Sequence, residues 1–141
     1  MLQTFIVNSV IVVVAVLVHY EMLYRLSNLI PRLPIPHRFR VVLGVFGSLF
    51  AHVVEIWLFA IGYYVMITEG RFGSLTGNFN NSLMDCAYFS FSTYTTLGFG
   101  DIEPMGHVRF LAGLEALTGL VLITWSASFM FIEMQKFWKD S

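Results

Sequence analysis

Charge is scarce in this chain of 141 residues: lysine, arginine, aspartate and glutamate together make up 12%, against 57% hydrophobic residues. Mean hydropathy is +0.72. A water-soluble domain of this size seldom has such a composition, so the chain reads as a membrane protein. Eight basic residues face nine acidic ones, a net charge of -1, and no nucleic-acid partner is expected. The single cysteine, Cys86, excludes an intrachain disulfide and reads as a small buried hydrophobe rather than a reactive thiol. No helix carries an arginine repeat, which excludes a voltage sensor of the familiar kind. No internal repeat is visible either.

What is present is length and apolarity. A membrane-spanning helix needs roughly twenty mostly apolar residues, and residues 2–18, 41–67 and 108–132 each supply such a stretch. The first is read as a retained helix rather than a secretory signal, because the basic leader and small-residue cleavage site of a signal are missing. Pro31, Pro34 and Pro36 remove backbone donors and favour an extended path between the first two spans. Arg25, Arg32, Arg38 and Arg40 crowd that same link, and Lys136 and Lys139 follow the third span. By the positive-inside rule both regions are cytoplasmic. The expectation is a multi-pass protein of the cell (inner) membrane, in contact with the lipid bilayer, with its N-terminus outside and its C-terminus cytoplasmic. The tail over residues 133–141 is too short for a nucleotide- or calcium-binding domain. Residues 69–81, with Gly70, Gly73, Gly77 and three asparagines, read as an outer loop.

The run Thr95-Thr96-Leu97-Gly98-Phe99-Gly100-Asp101 carries the chemistry. A dehydrated cation needs a ring of oxygens in place of its water, and backbone carbonyls can turn inward on successive residues only where alternate positions tolerate unusual dihedrals. Gly98 and Gly100 provide that tolerance. Thr96 adds a hydroxyl at the inner mouth, and Leu97 and Phe99 are expected to face backwards into the protein. The preceding segment from Ser82 is too short and too polar to cross the membrane, so it is expected to re-enter it, surrounded by protein. A glycine turn beside a buried helix is the blander reading of the same residues.

With its preceding apolar segment Ala87–Tyr94, the following Asp101-Ile102-Glu103-Pro104 and the span holding Leu114–Leu120, the run resembles the potassium channel pore-domain family, whose filter reads Thr-Val-Gly-Tyr-Gly-Asp. The likeness covers the chain from about Asp85 to its end. It implies an all-α membrane protein with three transmembrane helices, the first of them additional to a two-helix pore module, and a re-entrant pore helix and selectivity filter. It further implies a homotetramer, because each chain has one filter strand and the family closes its ring with fourfold symmetry. The expected units are an N-terminal helix at 1–26, a cytoplasmic linker at 27–40 and a pore domain at 41–141. Within the last, the outer helix takes 41–67, the turret 68–81, the pore helix 84–95, the filter 96–101 and the inner helix 107–134. Thr96, Leu97, Gly98, Phe99 and Gly100 would bind potassium in passage, supported by Ser92, Thr95 and Asp101, with Gly119 near a possible hinge. The resemblance implies no enzyme and no cofactor beyond the permeant ion.

The chain departs from the pattern at several points. Phe99 stands in place of tyrosine and lacks a hydroxyl whose hydrogen bond is worth about 0.5–1.5 kcal/mol. Ser92 stands where some relatives have a glutamate, and its hydroxyl is expected to donate to Asp101. Leu97 for valine is close to neutral, and the outer loop before the third span is one residue short.

Ionisable groups inside the spans are the other unusual feature. His52 and Glu55 lie three apart on one helical face, and Glu115 lies within the third span. An unpaired charge at that depth costs on the order of 2.5–3.5 kcal/mol, so the three are expected to form one buried cluster joining the second and third spans, either structural or pH-sensing. His19 and Glu21 are expected at the interface. Gly44, Gly47, Ser48 and Ala51 on the second span, and Ala112, Ala116 and Gly119 on the third, are expected to let those helices approach. The alternatives are a weakly selective cation channel or a membrane metal site built from His19, His52, Glu55 and Glu115.

Overall fold

A computed structural model describes residues 1–139; Asp140 and Ser141, which end both the expected pore unit and the short tail, lie outside the described residues. Three long helices dominate: α1 (Leu2–Leu29), α2 (His37–Glu69) and α4 (Val108–Trp138). Each is long and apolar enough to cross a membrane. At 1.5 Å per residue a helix of about thirty residues reaches about 45 Å, beyond the ~30 Å hydrocarbon layer. Between α2 and α4 lie β1 (Ser74–Gly77), the short helix α3 (Leu83–Tyr94) and β2 (Ile102–Met105).

The link between the first two spans is shorter than the expected 27–40. Helix α1 runs to Leu29, a 3-10 turn follows over Ile30–Arg32, and α2 begins at His37. The basic residues of this stretch are good helix formers, so only the prolines interrupt it. Leu33, which precedes Pro34, is extended at φ -81, ψ 137, as the ring of a following proline demands. Arg40 donates to the Leu33 carbonyl at 3.0 Å and places its guanidinium 5.5 Å from the centre of the Phe137 ring. The linker is thereby tied to the end of α4.

The loop regions contain a small two-stranded antiparallel sheet that the all-helical expectation did not include, pairing Ser74 with Met105 through Gly77 with Ile102. It joins the turret to the segment following the filter run. Helix α3 starts where its sequence signals a start: the Ser82 hydroxyl accepts from the Asp85 backbone N–H at 3.0 Å, and the Asp85 carboxylate accepts from the Asn80 N–H at 2.8 Å. A serine cap with an acid three residues on satisfies otherwise orphaned donors and complements the helix dipole.

The core gathers around α3. Ala15 of α1, Phe59 and Tyr63 of α2, Cys86 and Tyr94 of α3, and Leu111 and Leu122 of α4 are all buried together. Cys86 is the buried free thiol the sequence suggested. Outward-facing Leu17, Phe46, Phe50, Leu117 and Phe131 remain exposed on the long helices, as suits a surface that meets lipid rather than water. The small residues do not form one shared face. A side chain at Gly47 would collide with Leu26 of α1, and one at Gly44 would press on Met130 of α4.

Replacing Ser82 by alanine should remove the α3 cap and destabilise the protein by about 1 kcal/mol. Thermal unfolding in detergent checks this, and an unchanged midpoint would show that the cap contributes nothing.

Candidate functional site

The chain leaves α3 at Thr95 and turns through the glycine run. Along it φ is +59 at Thr96, +57 at Gly98 and +81 at Gly100, while Leu97 and Phe99 between them stay out of the left-handed region. An alternation of this kind allows successive carbonyls to turn towards one side. Glycine adopts the left-handed region freely, but a threonine there costs of order 1–3 kcal/mol and must be held by its surroundings.

Hydrogen bonds from α3 supply that restraint. The Thr96 N–H donates to the Thr93 carbonyl at 3.0 Å, and the Gly98 N–H to the Ser92 carbonyl at 3.1 Å. The Phe99 N–H donates to the Ser92 hydroxyl at 3.2 Å. Ser92 therefore braces the middle of the run, not Asp101 as the sequence reading expected. A short serine side chain at the end of α3 lies beside the backbone that doubles back on it and does not reach the acid beyond. Asp101 is held instead by Tyr88, one helical turn earlier, whose hydroxyl donates to its carboxylate at 2.9 Å. The Asp101 carbonyl accepts from the Asn78 N–H at 2.9 Å, which ties the run to the turret. Thr95 is bound back to α3, its hydroxyl donating to the Phe91 carbonyl at 2.8 Å.

Leu97 and Phe99 do not face back into their own chain: they are 61% and 63% exposed. Among the described residues, nothing covers this side of the run. The Phe99 ring does stack on Tyr88, at 6.4 Å between centres and 8° between planes. Beside the run lies a groove of about 390 Å³ lined in part by Thr96, Gly98, Gly100, Ala112 and Ala116. The small residues of α4 thus face the run, not α2. Gly119 sits against the end of α3, where an added side chain would collide with the Tyr94 carbonyl oxygen. Close packing is its visible role.

The intramembrane acids belong to two separate clusters. Glu115 accepts from the Tyr63 hydroxyl at 2.8 Å and contacts the Ser90 hydroxyl, which donates to the Ile56 carbonyl at 2.7 Å. Glu55 accepts from the Tyr94 hydroxyl at 2.6 Å and pairs with His19 Nδ1 at 2.8 Å. His52 Nδ1 lies 2.7 Å from the Tyr94 hydroxyl and 3.5 Å from Glu55. The expected single cluster fails on depth. Measured from the helix ends at His37 and Trp138, Glu115 lies about five residues farther along its helix than Glu55, about 7.5 Å.

His19 was expected at the interface and is instead fully buried, with its Nε2 3.1 Å from the Ser126 hydroxyl and its ring 5.0 Å from Trp125. The signal was present in the sequence: Thr4, Asn8, Ala15 and His19 recur at helical spacing, and all four are buried. In lipid, the polar face of a helix is the one that turns inward. Glu21 stays exposed and pairs with Arg25 at 2.8 Å. As possible metal ligands, His19, His52 and Glu55 bring one ligand atom each to within 4.8 Å of one another, and Glu115 stands apart from the group.

A family model described as an ion channel matches residues 51–136, more than half of the chain. No curated protein and no solved structure matches it. The matched segment begins inside α2 and leaves α1 out.

The bond from Tyr88 to Asp101 raises the phenol's pKa above its ordinary value of 10.0, the carboxylate acceptor being the main cause. A raised pKa means that this contact is fully present below about pH 10 and is lost as pH rises beyond it. Alkaline unfolding of the wild type should therefore set in at lower pH than that of Tyr88→Phe, relative to each protein's stability at neutral pH. Parallel alkaline curves would show the bond to be idle.

Proposed function

The chain belongs to the ion channel family, and we propose that it is a potassium-preferring pore that passes cations passively through the carbonyls of Thr96, Leu97, Gly98, Phe99 and Gly100. The observation that carries this reading is the alternation of left-handed residues at Thr96, Gly98 and Gly100, which suits a row of inward carbonyls replacing an ion's hydration shell. A ring of such rows needs several chains, and four copies is the closure we propose. Leu97 and Phe99, uncovered in the single chain, and the groove beside Ala112 and Ala116 are surfaces that neighbouring copies would meet.

The placement of charge supports a cytoplasmic end at the α1–α2 link. Arg40 and Lys136 both approach the Phe137 ring, so the two basic clusters share one end of the bundle. Asp101 and Glu103 lie in the segment between the end of α2 at Glu69 and the start of α4 at Val108, the helix ends remote from Arg40 and Lys136. With basic residues inside, the N-terminus is outside and the filter lies near the outer face.

The convergence of His19, His52 and Glu55 favours a second reading, a transition-metal centre. Hydrogen bonds within the protein already engage His19 on both ring nitrogens and Glu55 on both oxygens, which supports a structural network instead. Metal analysis of purified wild type and His52→Ala separates the two. We expect no stoichiometric transition metal in either; one ion per wild-type chain, lost in the variant, would favour the metal centre.

Flux in liposomes with potassium on one side and sodium on the other tests the pore. Gly98→Ala should abolish flux, because a side chain disfavours the left-handed backbone there, and undiminished flux would sink the assignment. Phe99→Tyr should raise potassium selectivity or lengthen openings. Bi-ionic recordings unchanged in both respects would remove the argument from the missing hydroxyl.

A further inference from the structure

One buried polar network touches all four helices and ends at the filter's inner end. The Tyr94 side chain, on the last residue of α3, donates to Glu55 of α2 and meets His52. The second oxygen of Glu55 takes His19 of α1, and the second ring nitrogen of His19 meets Ser126 of α4. Tyr94, His19 and Glu55 have no solvent exposure at all. The Tyr94 backbone is fixed as well, since its carbonyl is packed against Gly119. Thr95 follows directly, and then Thr96 in its left-handed conformation.

We propose that His19 is a positioning residue for the filter, acting through Glu55 and Tyr94 to hold the Thr95–Thr96 step in place. Helix α1, which the matched ion channel segment does not include, is on this account a working part of the pore and not only an anchor. The proposal rests on the potassium-pore reading above. Its physical basis is the shortage of alternative partners. With His19 removed, Glu55 Oε2 loses its partner in a fully buried site, and a buried carboxylate in that position must find another donor or change its protonation. The donors within reach are His52 and Tyr94, the groups that now hold the end of α3. Repairing Glu55 thus disturbs Tyr94, and Tyr94 is two residues from the first carbonyl of the proposed ion path.

A position-dependent effect can be told from general weakening by using the ion as a reporter. An ion that binds only the folded filter raises the melting temperature by mass action. The purified protein is melted in potassium and in sodium, as wild type, His19→Ala, Tyr94→Phe and the double variant. The expected result is a potassium increment in the wild type that is lost in both single variants. The double variant should be no worse than either one, as coupled members of one network require. Tyr94→Phe keeps the ring and its packing, so it carries the test if His19→Ala does not fold. Melting temperatures that fall equally in both ions, with the increment intact, would make the network a simple brace and overturn the proposal. So would strictly additive losses in the double variant. A wild type with neither potassium increment nor cation flux would overturn the pore reading itself, and this inference with it; flux with no increment in the wild type, or with the increment kept in the variants, overturns the inference alone.

Discussion

A backbone that is neither helix nor sheet can sit at membrane depth only if protein satisfies its polar groups, and the seven residues from Thr95 to Asp101 set that demand on the rest of the molecule. Their N–H groups have few places to go. Helix α3 meets the demand from one side, with the Ser92 carbonyl and hydroxyl taking two successive donors from Gly98 and Phe99. That explains why α3 must be short and end within the membrane: it positions acceptors beside the run and then stops. It also explains the apolar crowd around α3, since a re-entrant helix is tolerated only when other helices enclose it. Helices α2 and α4 pack directly on α3, with α1 behind them against both, and the outer surfaces of the long helices are left to lipid.

The run is held at its two ends by different chemistry. At the Asp101 end, Tyr88 and Asp101 form an exposed bond next to the turret, and the two-stranded sheet that pairs Ser74 with Met105 lies at the same end. At the Thr95 end the attachment is buried and polar, from Tyr94 through Glu55 to His19. In water the buried set would contribute little net stability, because each group would exchange one partner for another. At membrane depth the alternative partners are absent, which makes such a network expensive to break and specific in geometry. The cluster of Glu115 with Tyr63 and Ser90 is built on the same terms one step along the bundle, where α2, α3 and α4 meet.

Much of this was legible in the chain. The three spans, the re-entrant segment, the glycine run and the turret each follow from a local rule: apolar length, a helix too short to cross, alternate glycines, a glycine- and asparagine-rich loop. Ser82 and Asp85 announce the start of α3 in the same way. Residues that act across the structure were not legible. Tyr88 and Ser92 lie one turn apart on α3, and which of them meets Asp101 depends on how the chain doubles back, a matter of three-dimensional path. The split between Glu55 and Glu115 turned on where helices end, the least reliable part of a sequence reading. His19 was misplaced for a more instructive reason. Judged by its nearness to the end of an apolar stretch, it looked interfacial, whereas the spacing of Thr4, Asn8, Ala15 and His19 marks an inward face.

That inward face bears on how an added helix becomes part of a pore. Leucines and valines alone would hold α1 against the bundle only weakly, since lipid tails are as apolar as a neighbouring helix. A single buried histidine changes the balance, because leaving it in lipid without a partner is unfavourable while Glu55 offers it a hydrogen-bond partner at 2.8 Å. The same contact that docks α1 therefore satisfies the Glu55 oxygen that Tyr94 does not take. Each of the two residues supplies the reason for the other's burial. The interdependence extends through Tyr94 to the strained Thr96, so the helix farthest from the glycine run in sequence order is joined to it by three side chains.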